Sequence, residues 1–252
     1  MRTVSAIKNI NSTLIVYGFN MVLQFIIRFV LLYYLSIEYL GLNGLFDNIL
    51  TVLSLTELGI GPAIIFSLYA PLANHDLETA KSIMRIFKKA YIYIGTLILF
   101  LGLCISPFVQ YLIKVPPNIA YLNIFFLLFV IDTGISYFYS YKKCLLIADQ
   151  KQYIANYYRG ITQLIGSLFQ IALVILTHSF WVYIILRICM TFCENFLIAR
   201  KADHLYSFLN EKNIRPLNKD IYQSIIRNIK ALILHKIGGV TVFGTSNIIL
   251  SK

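Results

Sequence analysis

Apolar residues run through the chain in six long stretches, at roughly 13–36, 42–68, 90–113, 118–141, 157–176 and 180–199. Each is long enough, at about 1.5 Å per residue, to carry a helix across the ~30 Å hydrocarbon core of a bilayer. The pattern predicts an all-α fold, a polytopic transmembrane bundle of six spans. Residues 200–236 are more polar and form a loop in which Ile221, Ile225, Ile226, Ile229 and Leu232 recur at helical spacing, opposite Gln223, Arg227 and Lys230. That is the signature of a basic amphipathic helix, placed either along a membrane surface or against a neighbouring loop. From Ile237 to Lys252 the chain is apolar again but reaches only about 24 Å as a helix, the start of a seventh span. Three regions follow: a six-helix bundle at 1–199, the loop at 200–236 and the beginning of a helix at 237–252.

Polar residues interrupt the spans at helical spacing. Asn20, Gln24 and Arg28 share one side of the first; Asp47, Thr51, Ser54 and Gly61 share one side of the second, with Glu57 at its edge. The fourth span aligns Asp132, Ser136, Tyr139 and Lys143; the fifth, Asn156, Arg159, Gln163, Gly166 and Gln170; the sixth, Tyr183, Arg187, Thr191 and Glu194. An ionisable group at membrane depth costs several kcal/mol unless it faces protein or water, so these stripes predict a polar interior pathway. Asn, Gln and Ser at such positions also serve simply to hold helices together, at about 0.6 to 2 kcal/mol per hydrogen bond.

Depth divides the charges. Arg28 and Arg187 fall roughly 10 to 12 Å below the outer ends of their spans, whereas Glu57, Asp132 and Glu194 fall nearer the inner ends, and Asp47 alone shares the arginines' level. The expectation is an electropositive outer half in which Arg28 and Arg187 bind an anionic group, phosphate suiting the guanidinium fork. Glu57, Asp132, Glu194 and Asp47 are then the candidates for binding a coupling proton or sodium ion. Glu57 precedes Gly59, Gly61 and Pro62, where a helix should bend and free carbonyls to help hold a cation.

Composition agrees with the span pattern: 58% of the 252 residues are hydrophobic, 13% are charged and the mean hydropathy is +0.73, outside the range of soluble domains. A net charge of +11 would point to nucleic acid if the cations formed one surface, but they are sorted by loop. Of the 22 Lys and Arg, 18 lie in the N-terminal tail, the loop after the second span, the loop after the fourth together with Arg159 at the start of the fifth, and the segment from Arg200 to Lys236. The positive-inside rule places these regions in the cytoplasm and the chain in the cell membrane, with membrane lipids as partners and no nucleic acid. The first span is too long for a signal-peptide core and lacks a small-residue cleavage site. Cys104, Cys144, Cys189 and Cys193 lie in or beside spans without metal-ligand spacing and read as packing residues; no metal or cofactor is expected. The outer loops are too short for a catalytic domain, and His75, His178, His204 and His235 sit in loops or at span edges, so no enzyme activity is expected.

Several segments together resemble the Wzx-like oligosaccharide flippases of the multidrug/oligosaccharidyl-lipid/polysaccharide export superfamily. They are Gly41-Leu42-Asn43-Gly44-Leu45-Phe46, Leu55-Thr56-Glu57-Leu58-Gly59-Ile60-Gly61, Leu68-Tyr69-Ala70-Pro71-Leu72-Ala73, Lys88-Lys89-Ala90-Tyr91, Leu145-Leu146-Ile147-Ala148-Asp149-Gln150, Arg200-Lys201-Ala202-Asp203 and His235-Lys236-Ile237-Gly238-Gly239. The resemblance implies a two-bundle transporter, of which this chain would supply the N-terminal half, moving undecaprenyl-pyrophosphate-linked sugar repeat units between leaflets for capsule, exopolysaccharide or O-antigen assembly. The resemblance carries no short site signature; helix position and chemistry assign Arg28 and Arg187 to the pyrophosphate and sugar head group, and Gln24, Gln163 and Gln170 to sugar hydroxyls. Similar proteins often carry an acidic residue where Ser246 stands here. The alternatives are a cation or multidrug antiporter of the same superfamily, or an inactive fragment.

Overall fold

The computed structural model describes the chain apart from residues 1, 58, 113–118, 120, 212–215 and 251–252, so the expected outer loop containing Pro116 and Pro117 lies outside the described residues. Among the described residues every regular element is helical: α1 (Arg2–Tyr34), α2 (Ile37–Leu53), α3 (Ile60–Ala73), α4 (Leu77–Ile105), α5 (Leu122–Ala148), α6 (Gln152–Thr177), α7 (Phe180–Leu205) and α8 (Lys219–Leu250). Helices α1, α4, α5, α6 and α7 are long and apolar enough to cross a membrane. Between 17 and 39% of their most apolar windows is buried within the protein, so much of their hydrocarbon surface faces outward. Met21, Phe25, Phe169 and Leu176 are all exposed, an arrangement that water would penalise and acyl chains would cover.

The second expected span is two helices rather than one bent helix. Helix α2 ends at Leu53 and continues as a 3-10 turn through Glu57; Gly59 then takes the left-handed conformation with φ of 80° before α3 begins. Pro62 sits in the first turn of α3, where its missing N–H costs nothing, so it starts a helix instead of kinking one. A Cβ on Gly59 would approach Leu232 Cβ of α8 to 2.6 Å, so the same glycine that permits the turn also lets α8 close on it. Helix α8 runs unbroken across the expected boundary at residue 236, and its apolar face packs inward: Ile225 is buried, with Ile221 and Ile229 against the same core.

Helix α5 is the centre of the bundle, packed along α4 and α7, while α6 joins α7 to α1. Glycines let α4 and α5 approach closely. A Cβ on Gly102 would stand 2.4 Å from Val130 Cγ1, and one on Gly134 would stand 2.7 Å from Leu99 Cδ2. Small residues serve this purpose in membranes, where dispersion contact rather than hydrophobic exclusion holds helices together.

Side-chain locks fix which helix ends lie together. Asn9 Nδ2 donates to the Gln150 carbonyl at 3.0 Å, its Oδ1 accepts from the Tyr153 amide at 2.8 Å, and Asn156 donates to Ser12 and Thr13, tying the start of α1 to the α5–α6 turn. At the same end Tyr206 donates to Asp149 at 2.6 Å; burial first, and then this bond, push the phenol above its ordinary pKa and keep the donor protonated. At the opposite end His178 meets the Tyr34 carbonyl, and Tyr39 packs on Phe180. The residues expected to be cytoplasmic therefore share one end of the bundle. Two apolar cores occupy the two ends, one around Phe87, Tyr91 and Leu145, the other around Phe46, Phe126 and Phe129.

Gly102→Ala should lower stability by about 1 to 3 kcal/mol through overpacking, read as a lower thermal midpoint in detergent. Adding Val130→Ala should recover part of that loss; no recovery would mean that this contact does not set the α4–α5 distance.

Candidate functional site

Between the two cores lies a cavity of about 230 Å³ whose walls carry Gln24, Asp47, Asp132, Gln163, Gln170, Arg187 and Glu194, seven of the nine candidate residues. Arg187 of α7 organises it. Its Nε donates to Asp132 Oδ2 at 2.8 Å, its Nη2 to Asp47 Oδ1 at 2.8 Å and its Nη1 to Asn43 Oδ1 at 3.3 Å, and the guanidinium lies 4.4 Å from the centroid of the Phe129 ring. One cation thus bridges α2, α5 and α7.

The expected separation of outer arginines from inner carboxylates does not hold at Arg187. Helix α2 starts at Ile37 rather than near 42, which sets Asp47 deeper, and α5 starts at Leu122 rather than near 118, which raises Asp132 by about one turn. Each carboxylate then lies ten residues into its helix and Arg187 seven into its own, differences that a long arginine side chain spans. The outer half is consequently not electropositive around Arg187: three carboxylates and one guanidinium line the cavity.

The remaining residues form a supporting network. Asn43, one helical turn before Asp47, donates to Asp47 Oδ2 at 3.4 Å and accepts from the Tyr183 hydroxyl at 3.0 Å. Gln170 is buried and donates to the Tyr183 carbonyl, so its amide fixes α6 to α7. Gln163 donates to Glu194 at 3.3 Å, and Arg159 lies 3.8 Å from the other Glu194 oxygen. Tyr183 belongs to the polar stripe of the sixth expected span, whereas Asn43 and Phe129 lie outside the stripes; the i, i+4 spacing of Asn43 and Asp47 is the sequence signal for the first.

Asp132 is the unusual member. Its side chain is 7% exposed, against 43% for Asp47. Its Oδ1 is buried without a hydrogen-bond partner, while Oδ2 takes the Arg187 bond. A buried carboxylate oxygen without a partner carries an uncompensated desolvation cost, which a proton or a cation would remove.

Arg28 and Glu57 lie outside this cavity. Arg28 is exposed one turn beyond Gln24 on the same side of α1 and makes no ion pair among the described residues. Glu57, at the break between α2 and α3, accepts from the Tyr91 hydroxyl at 2.7 Å, and a Cβ on Gly61 would stand 3.1 Å from both groups. Searches against family models, curated proteins and solved structures give no match to the chain.

Arg187→Ala should cost about 3 to 5 kcal/mol, because it strands Asp132 as an unpaired buried charge, whereas Arg28→Ala should change stability by less than about 0.5 kcal/mol. Denaturant unfolding in detergent micelles measures both; equal losses would refute the bridging role of Arg187.

Proposed function

We propose that the chain forms one helical bundle of a multi-pass exporter in the cell membrane, with its N-terminus in the cytoplasm, that flips undecaprenyl-pyrophosphate-linked oligosaccharide repeat units and has no catalytic activity of its own. The sequence segments that resemble the Wzx-like flippases support the substrate class. The observation that carries the transport reading is the half-satisfied Asp132 carboxylate beside Arg187 in a polar cavity inside an apolar bundle.

In this reading Asp132 Oδ1 takes the coupling proton or sodium ion. Either ligand weakens the attraction of Asp132 for Arg187, leaving the guanidinium to Asp47 and Asn43. Arg187 can then turn toward an anionic head group, and release of the ion restores the bridge. Arg187 thus alternates between intramolecular carboxylates and substrate phosphate, both oxyanions that the guanidinium N–H groups can hold. Gln24, Gln163 and Gln170 supply amides to the same cavity, and Arg28, exposed one turn beyond Gln24 on α1, supplies a further cation.

A second reading, a cation or multidrug antiporter, draws support from the three carboxylates facing one guanidinium and from the rings of Phe129 and Tyr183 beside them. The two are separated in cells whose surface-polysaccharide export depends on this chain. Asp132→Asn should lower export by about tenfold or more at unchanged membrane abundance, with lipid-linked sugar accumulating in the inner leaflet. Undiminished export would overturn the flippase assignment, and a lost resistance to lipophilic cations alone would select the antiporter.

A further inference from the structure

A second cavity, of about 470 Å³, opens at the opposite level of the bundle, at the basic end between the start of α4, the end of α5 and the segment after α7. Helix α4 presents Lys81, Arg85, Lys88 and Lys89 to it, residues spaced so that they fall on one side of the helix, and α5 adds Lys142. Asp203 and Glu211 are the only carboxylates on its wall among the described residues.

Those carboxylates are already engaged. Lys81 is buried, at 4% exposure, and its ammonium donates to Glu211 at 2.8 Å and to Glu78 at 2.7 Å; Lys142 pairs with Asp203. Arg85, Lys88 and Lys89 have no ion pair among the described residues. The two inner lysines and the three acids they engage build a floor without an unpaired cation, and three unneutralised cations stand around its rim. Met84, Ile92 and Leu209 supply the apolar part of the wall.

Position adds the rest. The cavity covers the stretch of α4 from Lys81 to Ile92, where the helix passes from its charged start into the apolar run. With α4 crossing a membrane, that stretch lies at head-group depth, where basic pockets between helices bind anionic lipid heads. An ordinary basic flank of a spanning helix would spread its charges toward water; here they converge on one concave site with an apolar side.

We infer that this cavity is a binding site for a phosphate or pyrophosphate group at the membrane surface. Arg85 offers the bidentate fork, Lys88 and Lys89 offer point charges, and the apolar wall accepts the first carbons of an attached chain. The site shares no residue with the Asp132–Arg187 cavity and stands whether or not the chain is an exporter. Its ligand is either the head group of a membrane lipid or a soluble phosphate compound.

The test uses the purified full chain and Arg85→Gln/Lys88→Gln/Lys89→Gln, with Lys8→Gln/Arg227→Gln/Lys230→Gln as a charge-matched control elsewhere on the molecule. Phosphatidylglycerol against phosphatidylcholine is titrated by native mass spectrometry, and inorganic pyrophosphate by calorimetry. The rim variant should bind its anionic probe on the order of a hundredfold more weakly than the parent chain, while the control loses little. A loss confined to phosphatidylglycerol identifies a lipid head group, and a loss confined to pyrophosphate identifies a soluble phosphate. Equal losses in rim variant and control, or no loss with either probe, overturn the proposal.

Discussion

The guanidinium of Arg187 governs the interior of this protein because a permanent cation inside an apolar bundle has to be solvated by the protein itself. It draws Asp47, Asp132 and Asn43 to one point and lies on the ring of Phe129, so three helices converge on a single charge. In a membrane-embedded bundle the unpaired alternatives cost several kcal/mol each, which makes the meeting of α2, α5 and α7 a requirement rather than a preference. The polar cavity lies between two aromatic and aliphatic cores.

Close approach of the helices makes that convergence possible. The glycine seam between α4 and α5 and the left-handed Gly59 under α8 both remove a Cβ where another helix passes. The break between α2 and α3 separates the part of the second expected span that carries Asp47 from the part that packs on α4 and α5. Glu57 sits at this break and is held by Tyr91, so the same discontinuity that supplies Asp47 to the cavity removes Glu57 from it.

Two kinds of charged site therefore occupy different depths. Inside the bundle one guanidinium faces a surplus of carboxylate, an arrangement suited to gaining and losing a proton or cation. At the basic end the surplus is reversed, with lysines and an arginine exceeding the acids around the cavity. The positive charge of the sequence as a whole thus says little about the interior, where the local sign is negative.

Hydrophobic run length and loop charge were sufficient to read an all-helical chain with several membrane-length helices, because those properties depend on neighbouring residues along the chain. Helical spacing likewise marked a polar side on five of the six expected spans, and with it Gln24, Asp47, Asp132, Gln163, Gln170, Arg187 and Glu194. Which of those groups touch was decided only by tertiary structure. Shifts of four or five residues in where α2 and α5 begin moved Asp47 and Asp132 to the level of Arg187, and the reach of an arginine did the rest. Arg28, identical in chemistry and almost equal in expected depth, faces outward and makes no ion pair among the described residues. Sequence by itself determined which side chains the hydrocarbon would reject; the packing of helices determined what each rejected charge found instead, since an ion pair depends on distances between helices that no local pattern encodes.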